Sequence, residues 1–178
     1  MINKKEICTM EKMKNKTSDL ASIYKLDKID RNILKILQDK GRTSNVKLAR
    51  AINLSPTPCL ERVKRLEKVG YIKNYIAILD PKMLDAALVS FIEVSLDRTT
   101  TRALDHFREV VLAMDEVQEC HMVAGGFDYL IKVRTKDMDH YRRFLGEKLS
   151  IIEDISSTNT YVVMEEIKAS STIKVSDQ

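Results

Sequence analysis

The sequence is poor in the features that mark secreted, membrane-bound or catalytic chains. Its three cysteines, Cys8, Cys59 and Cys120, lie far apart, which suits a reducing compartment and suggests neither a disulfide framework nor a zinc site. No apolar run approaches the roughly 20 residues of a membrane-spanning helix. The N-terminus carries lysines without the apolar core of an export signal, so a cytoplasmic chain with no membrane partner is expected. Only five glycines are present, and the one adjacent pair, Gly125-Gly126, has neither the lysine nor the spacing of a phosphate-binding loop. His106, His121 and His140 are scattered. Cys120 and His121 are neighbours on an expected strand, so they point to opposite faces and cannot share a metal. No serine or cysteine nucleophile has a recognisable setting. These absences leave no catalytic residues, cofactor or metal to expect. Internal repeats and low-complexity stretches are missing too.

What is present is an uneven distribution of charge. The chain is 44% hydrophobic and 31% charged, with a net charge of +4. Residues 25–75 hold thirteen Lys+Arg against five Asp+Glu, whereas residues 76–178 hold twelve against eighteen. A basic segment joined to an acidic one predicts two domains with different partners, and the basic one is sized and charged for nucleic acid. The alternative for that charge is lysines that solubilise exposed helices.

Two of the three prolines open the stretch on which the basic segment turns, Ser55-Pro-Thr-Pro-Cys-Leu-Glu-Arg-Val-Lys-Arg-Leu-Glu-Lys68. Ser55 is a good N-cap, and Pro56 falls at the first helical position, where a missing N–H costs nothing. Leu60, Val63 and Leu66 share one face; Pro58, Glu61, Arg62, Arg65 and Lys68 occupy another. Before it come a helix from about Asp27 to Lys40, ended by Gly41, and a shorter one from Thr43 or Ser44 to Ile52. Asn53-Leu54 is the turn and Gly70 the stop. Three helices with short connections form a helix-turn-helix whose last helix can enter the major groove of double-stranded DNA. Thr57, Cys59, Glu61 and Arg62 lie in its first two turns, where Arg62 can donate twice to guanine and Glu61 can accept from cytosine. Arg65 and Lys68 are placed for phosphate, as are Ser44 and Asn45 at the preceding helix start. Two alternatives stay open: Cys59 packs inside beside Val63, and Glu61 pairs with Arg65 one turn on.

Tyr71 to Leu79 is β-branched and aromatic, and reads as a strand, either a wing or a linker pairing with a partner chain. Asp80-Pro81 breaks it. The acidic half then predicts strands at Leu88–Leu96, Val117–Val123, Tyr129–Arg134 and Thr158–Glu166. Its helices begin after Thr99 or Thr100, either of which can cap, with a stripe of Leu104, Phe107, Val111 and Met114, and after Asp137, with Met138, Tyr141, Leu145 and Leu149 inward. The order β-α-β-β-α-β is ferredoxin-like, so the fold class is α+β. Gly125-Gly126 is read as a turn using positive φ. Its N–H groups could hold a carboxylate and Asp128 an ammonium, which together suit a free amino acid; the alternative is a plain hairpin capped by Asp128. The expected organisation is a flexible tail over 1–24 with further possible start codons at Met10 and Met13, a DNA-binding domain over 25–75, a strand or linker over 76–88, a second domain over 89–168, and a tail over 169–178.

Five segments, taken in order, carry a resemblance: Ile29-Asp-Arg-Asn-Ile-Leu34, Leu54-Ser-Pro-Thr-Pro-Cys-Leu-Glu-Arg-Val63, Gln118-Glu-Cys-His121, Phe127-Asp-Tyr-Leu130 and Thr160-Tyr-Val-Val-Met-Glu-Glu166. Through them, residues 25–168 resemble the Lrp/AsnC family of bacterial regulators. The resemblance implies a winged helix-turn-helix followed by a ligand-binding domain, in a homodimer that assembles into octamers or larger particles. It implies bending of AT-rich DNA in a bacterial nucleoid, activating or repressing transcription. It also implies an amino-acid effector, commonly leucine, held where dimers meet. The positions it ties to the effector are Met122, Asp128, Met138, Tyr161, Val162 and Val163, to which the Gly125 and Gly126 backbone is added. Met122 stands where a leucine is usual, and Gly126 where relatives often have Asp. The rival reading is an architectural DNA-packing protein with little ligand control.

Overall fold

The structure, a computed structural model, describes residues 24–176; the expectations for residues 1–23, Met10 and Met13 among them, lie outside them. The chain divides into two compact units, one of residues up to Ile78 joined by the segment from Ser170 onward, the other Leu79–Ala169.

In the first unit, α1 spans Lys28–Asp39, α2 Asn45–Ala51 and α3 Pro56–Val69. Asp27 caps α1 in a reciprocal box with Asp30: the Asp30 N–H donates to Asp27 Oδ1 at 2.8 Å, and the Asp27 N–H to Asp30 Oδ2 at 3.3 Å. Ser44 caps α2, its Oγ accepting from the Lys47 N–H. Thr43 instead donates its hydroxyl to the Lys40 carbonyl. Asn53, at φ 56°, makes the left-handed turn into α3, and Gly70, at φ 89°, ends that helix. Ser55 sits at the N-cap of α3 but its side chain caps nothing, and Gly41 ends α1 without a left-handed φ. Ile33, Leu34, Leu48, Ala49, Ile52, Cys59 and Leu66 form the core.

That core corrects the expected inner face of α3. Leu60 is 42% exposed, and fully buried Cys59 takes its place. Cys59, Val63 and Leu66 are spaced i, i+4, i+7, the spacing that keeps side chains on one side of a helix. Burial also raises the Cys59 thiol pKa. Tyr71–Leu79 forms no strand within this chain: it is exposed apart from Ile72, which packs against the helical core, and no ladder runs along it. High β propensity without a neighbouring strand to take its N–H and C=O groups leaves the segment unpaired.

In the second unit, a 3₁₀ turn at Pro81–Leu84 leads into β1 (Leu88–Leu96), α4 (Thr101–Leu112), β2 (Val117–Met122), β3 (Tyr129–Thr135), α5 (Met138–Phe144) and β4 (Ile155–Val162). The sheet order is β2-β3-β1-β4 with every pairing antiparallel, the ferredoxin-like topology that the β-α-β-β-α-β order predicts. Thr100 and Asp137 cap α4 and α5 through their side chains. Alternate residues of the two central strands, Ile92, Val94 and Leu96 with Tyr129, Ile131 and Val133, pack beneath Phe107, Val111, Tyr141 and Phe144. Phe107 stacks on Tyr129 with ring centroids 4.3 Å apart.

Three expectations shift here. β4 begins at Ile155, pairs with β1 through Val162, and stops before Met164, which is fully exposed. Met138 is 53% exposed, and the inward positions of α5 are Tyr141 and Phe144. Gly125 and Gly126 form the β2–β3 turn without positive φ, and a Cβ on either would meet open space. No helix among the described residues is long and apolar enough to cross a membrane.

Replacing Phe107 by Ala should cost about 3–5 kcal/mol, the usual range for emptying a buried aromatic site. Native-state hydrogen exchange should then show β1 and β3 amides losing protection while α1–α3 amides keep theirs.

Candidate DNA-recognition face and effector-response residues

The basic unit is organised by one buried carboxylate. Asp30 is fully buried on α1. It accepts the Tyr24 hydroxyl at 2.5 Å and the Arg62 guanidinium at 2.8 Å, and the same Arg62 nitrogen reaches Asp27 at 2.6 Å. Arg65 stands 3.7 Å from Asp30, with its guanidinium 4.7 Å from the centre of the Tyr24 ring. Hydrogen bonds to Asp27 and then Asp30 raise the Arg62 pKa further. Partial burial works against charge on Asp27, but the Asp30 N–H and Arg62 outweigh it and hold its carboxyl below the ordinary range. Burial first, then the bond to Asp30, pushes the Tyr24 hydroxyl up to about 12.

This network gives Arg62 a structural role beside the expected base contact: one guanidinium nitrogen bonds two carboxylates and fastens α3 to α1. Cys59 is removed from the surface by the core. Asn45 donates its amide to the Pro56 carbonyl at 2.7 Å and ties α2 to the start of α3. Ser44 remains exposed. The solvent side of α3 is the stripe Thr57, Glu61, Lys64 and Lys68, all exposed and spaced i, i+4, i+7, i+11. Lys64 escaped the sequence reading, although the same helical count that places Leu66 inward places it outward. Arg65 is half-exposed beside the stripe. Glu61 forms no ion pair with Arg65; both partners of Arg65 come from the α1 side.

In the second unit the positions that the resemblance ties to an effector divide between two places. Met122 ends β2, and Gly125, Gly126 and Asp128 follow in the turn to β3. Asp128 Oδ2 accepts the Leu96 N–H at 2.7 Å, and the Asp128 N–H donates to the Val94 carbonyl at 3.0 Å. Its carboxylate therefore ties the turn to β1 and keeps one oxygen for another donor. At the other edge, the Tyr161 hydroxyl donates to Glu93 at 3.2 Å on the helix-free face of the sheet. Val162 and Thr160 lie on the opposite face, where Thr160 meets the Tyr141 hydroxyl of α5, one turn beyond Met138. The Val163 N–H donates to the Val89 carbonyl at 2.9 Å. With β2 and β4 as the two edges, Met122 and Tyr161 are three strand spacings apart, roughly 14 Å, while Asp128, leading into β3 beside β1, is two spacings from β4. A single chain does not bring them together. A cleft of about 460 Å³ at the far end of the sheet is lined by Glu116, Arg134, Lys136, His140 and Arg143 among others, and by none of these positions.

Among the described residues no group of three or more His, Cys, Asp or Glu is arranged to hold a metal ion. His121 lies 3.4 Å from Glu119 and His140 2.8 Å from Asp137, both exposed surface pairs.

Removing Arg62 leaves the buried Asp30 carboxylate short of its counter-charge. Arg62→Ala should therefore destabilise the first unit by on the order of 3 kcal/mol, read as a lowered thermal midpoint of its helical signal. Because the folded Asp27 pKa is depressed, its stabilising contribution is present above about pH 4. It is lost as pH falls through the lower folded value. Asp27→Asn should flatten this acid limb in stability measured between about pH 5 and pH 2.

Comparison with known proteins agrees with both units. Residues 26–73 match the winged helix-turn-helix DNA-binding family, and residues 89–173 match the Lrp/AsnC ligand binding domain. The chain is 51% identical over 150 residues to the leucine-responsive regulatory proteins of Escherichia coli K12 and of Klebsiella pneumoniae, covering 84% of this chain and 92% of each relative. Among solved structures, it is similar to a Neisseria meningitidis transcriptional regulator in complex with L-Met, with TM-score 0.81 and 35% identity over 84% of this chain and 97% of that one. It is also similar to an AsnC family regulator of Agrobacterium tumefaciens, with TM-score 0.80 and 32% identity over the same shares. Two units in this order, one a helix-turn-helix and the other an amino-acid regulator's α/β fold, make the chain a DNA-binding transcriptional regulator of the Lrp/AsnC family.

Proposed function

We propose that this regulator responds to leucine or a similar apolar amino acid, and that the response works through its assembly from dimers to octamers or larger particles. The observation that carries this is the separation, within one chain, of Met122 on the β2 edge from Tyr161 and Val162 on the β4 edge. A ligand that needs both groups finds them only where subunits meet. It then binds one assembly state better than another, which is the condition for shifting the equilibrium. Met122, Met138 and Val162 supply apolar surface, and the free oxygen of Asp128 suits an ammonium. The names of the leucine-responsive relatives support the amino-acid class, as does the L-Met complex of the Neisseria protein.

DNA is read by the exposed stripe of α3, with Thr57 and Glu61 toward base edges and Lys64 and Lys68 toward phosphate. Ser44 at the start of α2 and the half-exposed Arg65 serve the backbone. Several weakly selective helices on one particle add through effective concentration, so a loose consensus suffices. The protein works in the bacterial cytoplasm on nucleoid DNA.

Light scattering and fluorescence anisotropy on an AT-rich duplex, across salt concentrations and with each common amino acid, test this reading. Leucine should shift particle mass and DNA affinity in step. If DNA binds with a steep salt slope while no amino acid moves either quantity, the architectural packing role replaces it. Lys64→Ala should weaken binding about equally on all sequences and reduce the log–log salt slope by about one per recognition helix.

A further inference from the structure

We infer that the segment Glu166–Ser176 is a strap that fastens the end of β4 to the first helix of the DNA-binding unit, so that a change at the ligand-binding sheet reaches α1 through it. Both ends of the segment are held. At the start, one terminal nitrogen of Arg134 on β3 meets both carboxylate oxygens of Glu166, at 3.1 and 3.0 Å. Arg134 is itself only 12% exposed and also donates to Gln118 on β2 and to the Ala86 carbonyl. Glu166 is therefore anchored to a side chain that is already held by two other partners.

At the far end, the side-chain amide of Gln38 takes both backbone groups of Ile173. The Ile173 N–H donates to Gln38 Oε1 at 2.8 Å, and Gln38 Nε2 donates to the Ile173 carbonyl at 3.0 Å. Arg31 donates to the Ser176 carbonyl at 2.9 Å, and Val175 packs against the helical core. Arg31 and Gln38 are seven residues apart, two turns along one side of α1. A single glutamine matching a backbone N–H and C=O together is the pairing a strand edge would offer. The seat therefore holds the backbone of the segment and needs no particular side chain at Ile173, which is exposed.

The covalent chain itself limits how far the two holds can part. Seven residues separate Glu166 from Ile173, at most about 25 Å of chain when fully extended. Tyr161, Val162 and Val163 lie a few residues before the first hold. Arg31, at the second, adjoins Asp30, whose carboxylate fastens α3 through Arg62. The end of β4 and the helix with the exposed basic stripe are thus joined by a continuous physical path with a clamp at each station. What moves the strap rests on the ligand reading above; the strap itself does not.

The test uses the full chain, Glu166→Gln, Gln38→Ala, and a chain ending at Ala169. Hydrogen exchange without ligand should show Glu166→Gln, a change in the sheet unit, speeding exchange severalfold in residues 170–176 and in α1. Gln38→Ala should do the same locally. Unchanged exchange in both segments with Glu166→Gln overturns the strap. In the second arm, DNA affinity is measured with and without leucine, and leucine binding is followed by calorimetry. An effect of about fivefold or more in the full chain should fall toward one in the chain ending at Ala169 while leucine still binds. A ratio that survives the truncation overturns the coupling. A full chain that never responds to leucine counts against the ligand reading alone, and the exchange arm still decides the strap.

Discussion

A carboxylate with no water around it sets the geometry of the DNA-binding unit. Asp30 is fully buried, and charge in such a place is tolerated only when its lone pairs are taken. Tyr24, Arg62 and the Asp27 N–H take them, with Arg65 close by. The partners come from the chain before α1, from the α1 cap and from α3. Satisfying one acidic side chain therefore fixes the cap of the first helix, the side of α3 that turns inward and the stacking of Arg65 on Tyr24. Apolar packing of Cys59 and Leu66 against Ile33 and Leu48 brings the helices together, but it is less directional than a charged hydrogen bond. The ion pair is best understood as a device for register, since exchanging such a pair for apolar groups often costs little stability.

The second unit relies on a different constraint. Its sheet buries one face beneath α4 and α5, while the other carries Glu93, Lys132, Arg134 and Tyr161. Both edge strands are largely exposed. Ion pairs stand in for apolar contact on that side: Lys132 with Glu119 on β2, and Arg134 with Glu166 beyond β4. The proposed effector positions occupy the rims of this sheet, where surface left open in one chain is available to another.

Much of this was legible in the sequence wherever a local rule acts. The caps Asp27, Ser44, Thr100 and Asp137 are side chains that bond their own helix, and each appears where the apolar period begins. β1 and β3 show strict alternation and sit at their expected positions. The gaps and misreadings occur where a distant partner decides. Nothing near Arg62 reveals that Asp27 and Asp30, more than thirty residues earlier, claim its guanidinium. Cys59 and Leu60 are adjacent, and a phase error of about 100° exchanges them; size favoured leucine, but the packing of three helices chose cysteine. β4 starts within a polar run, Ser156-Ser-Thr-Asn159, that looks like a loop and becomes an edge strand because β1 offers it a ladder. Tyr71–Leu79 is the reverse case, with strong propensity and no ladder.

The return of the chain to its first unit has a practical side. Residues 170–176 lie along α1, so a fluorophore, affinity tag or fusion joined after Ser176 would adjoin the DNA-binding helices, even though it follows the ligand-binding fold in sequence. A reporter placed there would register events on the nucleic-acid side first. One meant to follow the sheet would have to be inserted elsewhere, for example at the Gly125-Gly126 turn, where the surroundings are open.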